Sequence, residues 1–173
     1  MIRLEEFSDT PPEGAASLLK GLGEGESGFS GTDFGAGRKS MSEYLRTTMR
    51  QAYSESLPAG WVAQTTFWIV EDSHAVGLLR LRHRLNESLR VKGGHIGYYV
   101  SPEARRRGIA SKALGLALLE ARKLEINKVM LTTSPDNSGS IKVIEGHSGL
   151  LRAQIEDPED GSTINQYWIE NQV

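Results

Sequence analysis

The chain has 173 residues, of which 38% are hydrophobic and 24% are charged, and its 20 basic and 22 acidic residues give a net charge of −2. This length suits one domain around a single core, the near-neutral charge argues against a general nucleic-acid binder, and no apolar run approaches the ~20 residues of a membrane span. There is no cysteine, which excludes disulfides, thiol nucleophiles and thiolate metal sites. We therefore expect one domain over residues 1–173, without metal and with neither nucleic acid nor membrane as a partner. The N-terminus is acidic where a secretory signal is basic and apolar, so we expect a cytoplasmic protein.

The N-terminal third is predicted to contain a strand, two helices and a long loop. A strand over residues 2–4 precedes a helix over residues 15–19. Residues 21–37 hold seven glycines and no periodic apolar stripe, which predicts a flexible loop. Ser40, with a glutamate three residues later, has the spacing of a capping box and predicts a helix over residues 40–56.

Two strands follow, over residues 61–70 and 75–84, and a short turn joins them as a hairpin. Arg80, Arg82 and Arg84 alternate with Leu79, Leu81 and His83, which places the three arginines on one face of the second strand. The ordinary interpretation is a solvated face. The alternative is a face that meets an anionic part of a substrate or cofactor.

A strand, a tight turn and a long helix form the middle of the chain. Residues 95–100 are aromatic, β-branched or small, and Pro102 ends this strand because it removes a backbone donor. Apolar residues then recur every three or four positions over residues 109–124, which predicts an amphipathic helix packed on a sheet. The intervening residues 105–110 contain three arginines and Gly108. Free N–H groups and the positive dipole end at a helix start attract phosphate, so this junction is either a phosphate site or a solvated basic turn.

The last third begins with a strand over residues 128–133, which the long helix joins to the preceding strand as a parallel crossover. Asn137 lies in the loop after this strand, before a short helix that runs to Glu145. Because ligands of open α/β sheets bind at the carboxyl ends of strands, we expect this loop and the arginine junction at the same sheet edge. A hairpin of strands over residues 150–155 and 164–169 completes the order β-α-α-β-β-β-α-β-α-β-β.

The arginine junction resembles a known cofactor loop. Arg105, Gly108 and Ala110 follow the R/Q-x-x-G-x-G/A pattern of the pyrophosphate loop of the GNAT superfamily, the acyl-CoA-dependent N-acetyltransferases. Asn137, with Ser140 three residues later, is similar to the family's second cofactor-facing element. The resemblance implies a single α/β domain with a mixed central sheet of about six or seven strands and helices on both faces. Four short segments further resemble an uncharacterised bacterial acetyltransferase subgroup: residues 61–62, 67–68, 93–98 and 167–169.

The resemblance also implies an activity. Acetyl-CoA would be the co-substrate, and its acetyl group would pass by direct attack to a primary amine of a small molecule. A homodimer is a candidate assembly. Cofactor contacts would come from the end of the central strand, the arginine junction and the second loop, which correspond to Val100, Arg105, Arg106, Arg107, Gly108, Ile109, Ala110, Asn137 and Ser140.

Transfer to an amine requires a base, because a lysine-like amine has a pKa of ~10.4. The family often uses a glutamate on the central strand, whereas the residue that titrates nearest neutral pH here is His95, our candidate base. A hydrogen-bonded structural histidine is the equal alternative. Ile144 stands where many GNAT enzymes have the tyrosine that protonates the leaving thiolate, which leaves Tyr98, Tyr99 or water for that role.

Two functions of other classes stay open. Without the usual tyrosine, the domain could be a non-catalytic acyl-CoA-binding sensor or partner module. It could also be an unrelated α/β module that binds the phosphate groups of a nucleotide.

Overall fold

Nine strands and five α-helices make up the described residues, which are 1–23, 25–26, 29–30 and 33–172 of a computed structural model. The predicted order of seven strands and four helices is confirmed; a short strand pair near the N-terminus and a short helix at Glu87–Val91 lie in addition to that order. The elements are β1 (Ile2–Glu6), α1 (Ala15–Gly21), β2 (Gly25–Glu26), β3 (Phe29–Ser30), α2 (Met41–Arg50), β4 (Gln64–Glu71), β5 (His74–Arg82), α3 (Glu87–Val91), β6 (Ile96–Val100), α4 (Ile109–Lys123), β7 (Lys128–Thr133), α5 (Ser138–Gly146), β8 (Leu150–Glu156) and β9 (Thr163–Glu170).

Seven of these strands form two antiparallel sheets, in the orders β1-β4-β5-β6 and β7-β9-β8. The sheets meet where the His95 N–H donates to the Met130 carbonyl oxygen, with 2.7 Å between nitrogen and oxygen. Gly94 allows this approach, because its φ is +61° and a Cβ there would lie 2.4 Å from the Met130 oxygen. Past this contact β6 and β7 separate and a cavity lies between them. The expected mixed sheet is therefore divided in two at this point.

Both faces of the first sheet are covered by helices, as predicted. Because strand side chains alternate, Leu79 faces α4 and α5, where it joins a cluster with Leu114. The preceding residue Leu78 faces α1 and α2, where it joins a cluster with Leu19 and Trp68. Within the described residues, none of the helices has the length and apolar character that a membrane span needs.

The predicted capping box is present at the start of α2. The Ser40 side chain accepts from the Glu43 N–H, and the Glu43 carboxylate accepts from the Ser40 N–H. The helix ends at Arg50, earlier than predicted, and a 3₁₀ turn follows at Ser54–Ser56. The reason is a tertiary contact, since the Gln51 carbonyl accepts the N–H of Gln64 at 2.9 Å.

The glycine-rich segment 21–37 contains the two-residue strands β2 and β3, which pair as an antiparallel hairpin. Phe29 is buried and joins the cluster beneath α1 and α2. Residues 24, 27, 28, 31 and 32, for which a flexible loop was also predicted, lie outside the described residues. The hairpin brings Glu26 over the end of the first sheet, where its side chain lines the cavities described below.

Candidate active site

The start of α4 presents backbone N–H groups to a cavity. Gly108 is the N-cap, with a φ of +75°, and no side chain of the described residues caps the helix. The first helical hydrogen bond runs from the Lys112 N–H to the Gly108 carbonyl, so the N–H groups of Ile109, Ala110 and Ser111 are free for a ligand. A Cβ at Gly108 would meet no atom within 4 Å, so the space in front of this turn is open. This is the geometry of a phosphate site.

The three arginines of the junction point in different directions. The Arg105 Nε donates to the Val100 carbonyl at 2.9 Å, and its Nη2 lies 2.6 Å from Glu26 Oε1. Arg107 pairs with Glu71 at 2.8 Å and does not line the cavity, so the expectation that it contacts the cofactor does not fit the structure. Arg106 is exposed and lines the cavity. Two arginines thus hold the loop, and Arg106 is the guanidinium that can reach a bound anion.

The cavity at this turn has a volume of about 330 Å³. It is bounded by the 105–111 turn, by Tyr98 and Val100 of β6, and by Asn137 and Ser140 at the start of α5. The Asn137 Oδ1 accepts the Ser140 N–H at 3.1 Å and so caps α5. Asn137 also lines the cavity, and this bond uses its Oδ1 and leaves its amide NH₂ available as a donor. The structure therefore brings together the cofactor residues predicted on three separate segments, with Arg107 as the exception.

A second cavity of about 460 Å³ continues from the first and shares Glu26, Tyr98, Asn137 and Ser140 with it. It follows the gap between β6 and β7, past Gly97, and ends at side chains that include Arg82. We call the two cavities together the cleft.

Tyr98 stands where the two cavities join. Its hydroxyl is buried and has no hydrogen-bond partner within the described residues. Burial raises the pKa of Tyr98 above its usual value of 10.0, an effect that the neighbouring Ser140 side chain only reduces. Ser140 is close but not in hydrogen-bonding geometry, so the hydroxyl is a protonated donor that faces the cleft unpaired.

His95 lies outside the cleft. Its Nδ1 accepts the Met130 N–H at 3.0 Å, its ring packs edge-on against Trp168 at 6.5 Å, and the residue is 7% exposed. Burial, together with the positive charges of Arg90 and Arg82, lowers the pKa of His95 to about 4. The prediction of His95 as the base does not fit this geometry. The structural alternative does, since the ring ties the two sheets together.

Tyr99 and Ile144 are also in the core. Tyr99 points to the face opposite Tyr98 and packs with Trp68 and Leu78, so it does not fit the predicted role of acid. Ile144 is 1% exposed and joins the cluster beneath α4. Its place in α5 is that of an apolar core residue that borders the cleft.

Two charged residues, Glu26 and Lys92, line the cleft although no sequence motif predicts them there. Glu26 is the one carboxylate that lines both cavities among the described residues, and it came from a segment predicted as loop. Lys92, at the far end, pairs with the buried carboxylate of Asp157. Neither residue lies in a motif, and only the hairpin and the turn after α3 bring them to the cleft. The described residues hold no group of three or more His, Cys, Asp or Glu that could bind a metal ion.

Several solved structures that resemble this fold are described as acetyltransferases or contain CoA. Mycobacterium smegmatis RimJ in complex with CoA-disulfide superposes with a TM-score of 0.68 at 17% identity, over 96% of this chain and 84% of that one. Salmonella typhimurium YncA with acetyl-CoA gives 0.65 at 14% identity, over 99% and 94%. The crystal structure of a probable acetyltransferase gives 0.66 at 21% identity, over 98% and 91%. At these identities the likeness is one of fold.

In sequence, no curated protein matches the chain. The model of the acetyltransferase (GNAT) family matches residues 38–149, which include the whole of the α4 turn and Asn137. This match spans well over half of the chain, and the matched residues include the start of α4 and the strands β6 and β7 on either side of the gap. The protein belongs to the GNAT family of acetyltransferases.

Proposed function

We propose that the protein transfers the acetyl group of acetyl-CoA to a primary amine of a small molecule by direct attack. The observation that carries this is the single cleft that joins the free N–H groups of α4 to the unpaired Tyr98 hydroxyl. One end can hold a diphosphate, and the other end supplies a proton donor. Direct attack is supported because the chain has no cysteine to form an acyl-enzyme.

The residues present fit acetyl-CoA. The N–H groups at Ile109, Ala110 and Ser111, with Arg106 beside them, can bind the pyrophosphate. The exposed backbone edge of β6 next to the gap can pair with the amide groups of the pantetheine arm. Acetyl-CoA supplies an activated thioester carbonyl. The chain's part is to hold this carbonyl near Gly97 and Tyr98 and to manage two protons.

Tyr98 is our candidate for the first proton, the one delivered to the departing thiolate. It takes the role that the tyrosine at position 144 has in many relatives. Its raised pKa keeps the hydroxyl protonated throughout the neutral range, and its hydroxyl has no competing partner among the described residues. A thiol of the ordinary kind has a pKa of ~8.5, so the help needed from this acid is modest.

The second proton must leave the amine. With His95 outside the cleft, Glu26 is the carboxylate best placed to hold an ammonium group and to pass its proton to solvent. Its ion pair with Arg105 keeps the carboxylate over the junction of the two cavities. We therefore assign amine binding to Glu26, with water as the final proton acceptor.

A second function is favoured by one observation. Because Ile144 is a core residue where many relatives have a catalytic tyrosine, the domain could bind acyl-CoA without catalysis, as a sensor or partner module. Acetyl transfer, in contrast, is supported by two solved neighbours of this fold that are named as spermidine N-acetyltransferases and so act on an amine. The two functions differ in whether thiol is released.

The test combines binding and turnover. Acetyl-CoA is expected to raise the melting temperature, whereas ATP and NAD at the same concentration are not, because a ligand that binds only the folded state stabilises it by mass action. Thiol release is then measured with acetyl-CoA and a panel of amino acids, polyamines, aminoglycosides and peptides. Release with one class supports the enzyme, binding without release supports the sensor, and equal shifts with all three nucleotides would contradict both.

A further inference from the structure

Unpaired polar atoms are gathered on the α1 and α2 side of the first sheet. Thr66 and Arg80 are directly opposite each other on β4 and β5, so their side chains share a face. The Thr66 Oγ1, the Arg80 Nε and, two residues along β4, the Trp68 Nε1 are all buried without a hydrogen-bond partner within the described residues. Native proteins rarely leave such donors unpaired, because each costs a lost hydrogen bond. Of these three residues, Arg80 also lines a cavity, so its guanidinium is the group that a ligand can reach.

The same face carries two positive charges with no ion pair. Arg80 and Arg82 are half-buried, and no carboxylate of the described residues forms an ion pair with either. Burial lowers the pKa of both arginines, that of Arg82 to about 10, and the charge of Arg80 contributes to the effect on Arg82. Arg84, the third member of the alternation, is exposed. The expected solvated face therefore applies to Arg84 and not to the other two.

Other contacts orient the two guanidinium groups. The Arg80 guanidinium carbon lies 4.8 Å from the centre of the Phe29 ring, a cation–π contact that holds the group beside β3. The Arg82 Nη1 donates to the carbonyls of Gly93 and Gly94, both at 3.1 Å. Each guanidinium keeps further N–H groups for an acceptor, since it has five.

This face borders the cleft at Arg82. Arg80 is the cross-strand partner of Gly97, the β6 residue that borders the gap. Arg82 lines the cleft and also a separate cavity of about 240 Å³, which Arg80 and Gln64 line with it. A molecule whose amine lies at Tyr98 and Glu26 can thus extend from the gap toward these arginines.

We propose that Arg80 and Arg82 bind an anionic oxygen group, a carboxylate or a phosphate, of the acceptor amine. The guanidinium fork matches both groups and supplies paired donors, and an anion would neutralise the two uncompensated charges. The acceptors of this protein are then amino acids, other amino-carboxylates or aminoalkyl phosphates. Polyamines are disfavoured, because their distal ammonium groups would meet the buried positive charges. This inference rests on the proposed acetyl transfer.

The first experiment compares acceptors that differ only in the anion. Methionine is measured against methioninamide, 4-aminobutyrate against butylamine, and aminoethyl phosphate against ethanolamine, with spermidine as the cationic reference. We expect kcat/KM for at least one anionic acceptor to exceed that of its neutral partner on the order of 10- to 100-fold, the effect of hydrogen bonds to a charged group. Aminoethyl phosphate tests recognition of a phosphate, whereas methionine and 4-aminobutyrate test recognition of a carboxylate.

The second experiment tests the residues. Arg80→Gln should lower kcat/KM for the anionic acceptor by a similar factor and leave the neutral acceptor unchanged. Arg84→Gln, on the same alternation but exposed, is the matched control and should change neither. The melting temperature of Arg80→Gln should stay level or rise, because the variant removes a buried unpaired charge, whereas a purely structural arginine would lower it.

The outcomes are separable. If neutral amines react as well as anionic ones in the parent, the anion site is wrong and the acetyltransferase assignment stands. If no acceptor releases thiol, the melting temperature is measured with CoA and either an amino-carboxylate or aminoethyl phosphate. A rise in melting temperature that Arg80→Gln abolishes supports the anion site without catalysis. The absence of any rise contradicts the anion site. Equal loss of kcat/KM in the Arg84→Gln control would also overturn it, since the effect would then be one of surface charge.

Discussion

At the α4 end of the cleft the ligand-facing groups are backbone N–H groups around Gly108, whereas at the β5 end they include the side chain of Arg82, beside Arg80 in the adjoining cavity. The first arrangement depends on a turn and a helix start, which a short motif encodes locally. The second depends on two strands, a hairpin and a turn that meet only in the folded chain. A backbone site can be shared by a whole family, while a side-chain site can differ from one member to the next. This difference agrees with a cofactor site that family members share and an acceptor site that varies among them.

The change with the largest expected effect breaks the α4 end. Gly108→Glu puts a carboxylate where the phosphate groups should lie, so acetyl-CoA affinity is expected to fall by at least about 100-fold, as like charges in contact cost several kcal/mol. Titration by calorimetry measures the loss. Gly37→Glu is the control, because Gly37 has a similar φ of +71° and open space but lines none of the cavities. Both variants share the strain of a side chain at positive φ, roughly 1–2 kcal/mol. Equal affinities in the two would mean that the turn does not bind the cofactor.

The second change removes the proton donor between the two ends. Tyr98→Phe should lower kcat by roughly 10- to 100-fold and leave acetyl-CoA affinity and the melting temperature unchanged, since the hydroxyl has no partner among the described residues. Tyr99→Phe, on the opposite face of the same strand, is the matched control. An alkaline loss of kcat that begins well below pH 10 in the parent would argue against Tyr98, because burial raises its pKa above 10.0.

The third change tests whether position 144 belongs to the core or to the chemistry. Ile144→Tyr is expected to overpack the cluster beneath α4 and to cost roughly 1–3 kcal/mol without raising kcat. The neighbouring turn leaves little room, since a Cβ on Gly149 would lie 2.4 Å from Ile144. Denaturant unfolding with Ile144→Val as the mild control, at about 0.5–1.5 kcal/mol, measures the cost. A stable and faster Ile144→Tyr enzyme would show that the parent lacks an acid.

The smallest expected effect on activity concerns His95, which holds the two sheets together beside the cleft. Its folded-state pKa of about 4 lies below the ordinary 6.5, so the unfolded chain binds the proton more tightly. The stabilisation is therefore complete above pH 6.5 and is lost as the pH falls toward 4. His95→Asn keeps an acceptor for the Met130 N–H and should remove this acid dependence from unfolding curves. His95→Leu should cost roughly 1–3 kcal/mol at neutral pH, because it leaves that N–H unpaired. A changed pH profile of kcat in His95→Asn would return His95 to the mechanism.

Residues close together in the chain could be interpreted from the sequence alone. The order of the strands, the Ser40 cap and the Arg105 to Ala110 turn follow from periodicity, capping chemistry and the needs of a helix start, all of which act over a few neighbouring positions. Asn137 at the end of β7 belongs with them, because a parallel crossover brings successive strand ends to one edge.

The tertiary structure alone decided the roles of the charged side chains and of His95. The alternation of Arg80, Arg82 and Arg84 is uniform in the sequence, but α2, the β2–β3 hairpin and α3 cover the first two and leave the third exposed. Likewise, the suitability of His95 as a base depended on Met130, 35 residues away, whose N–H occupies the ring nitrogen. Burial and partners are properties of residues distant in the chain. A sequence pattern therefore determines which chemistry is available, and packing determines which of it faces the cleft.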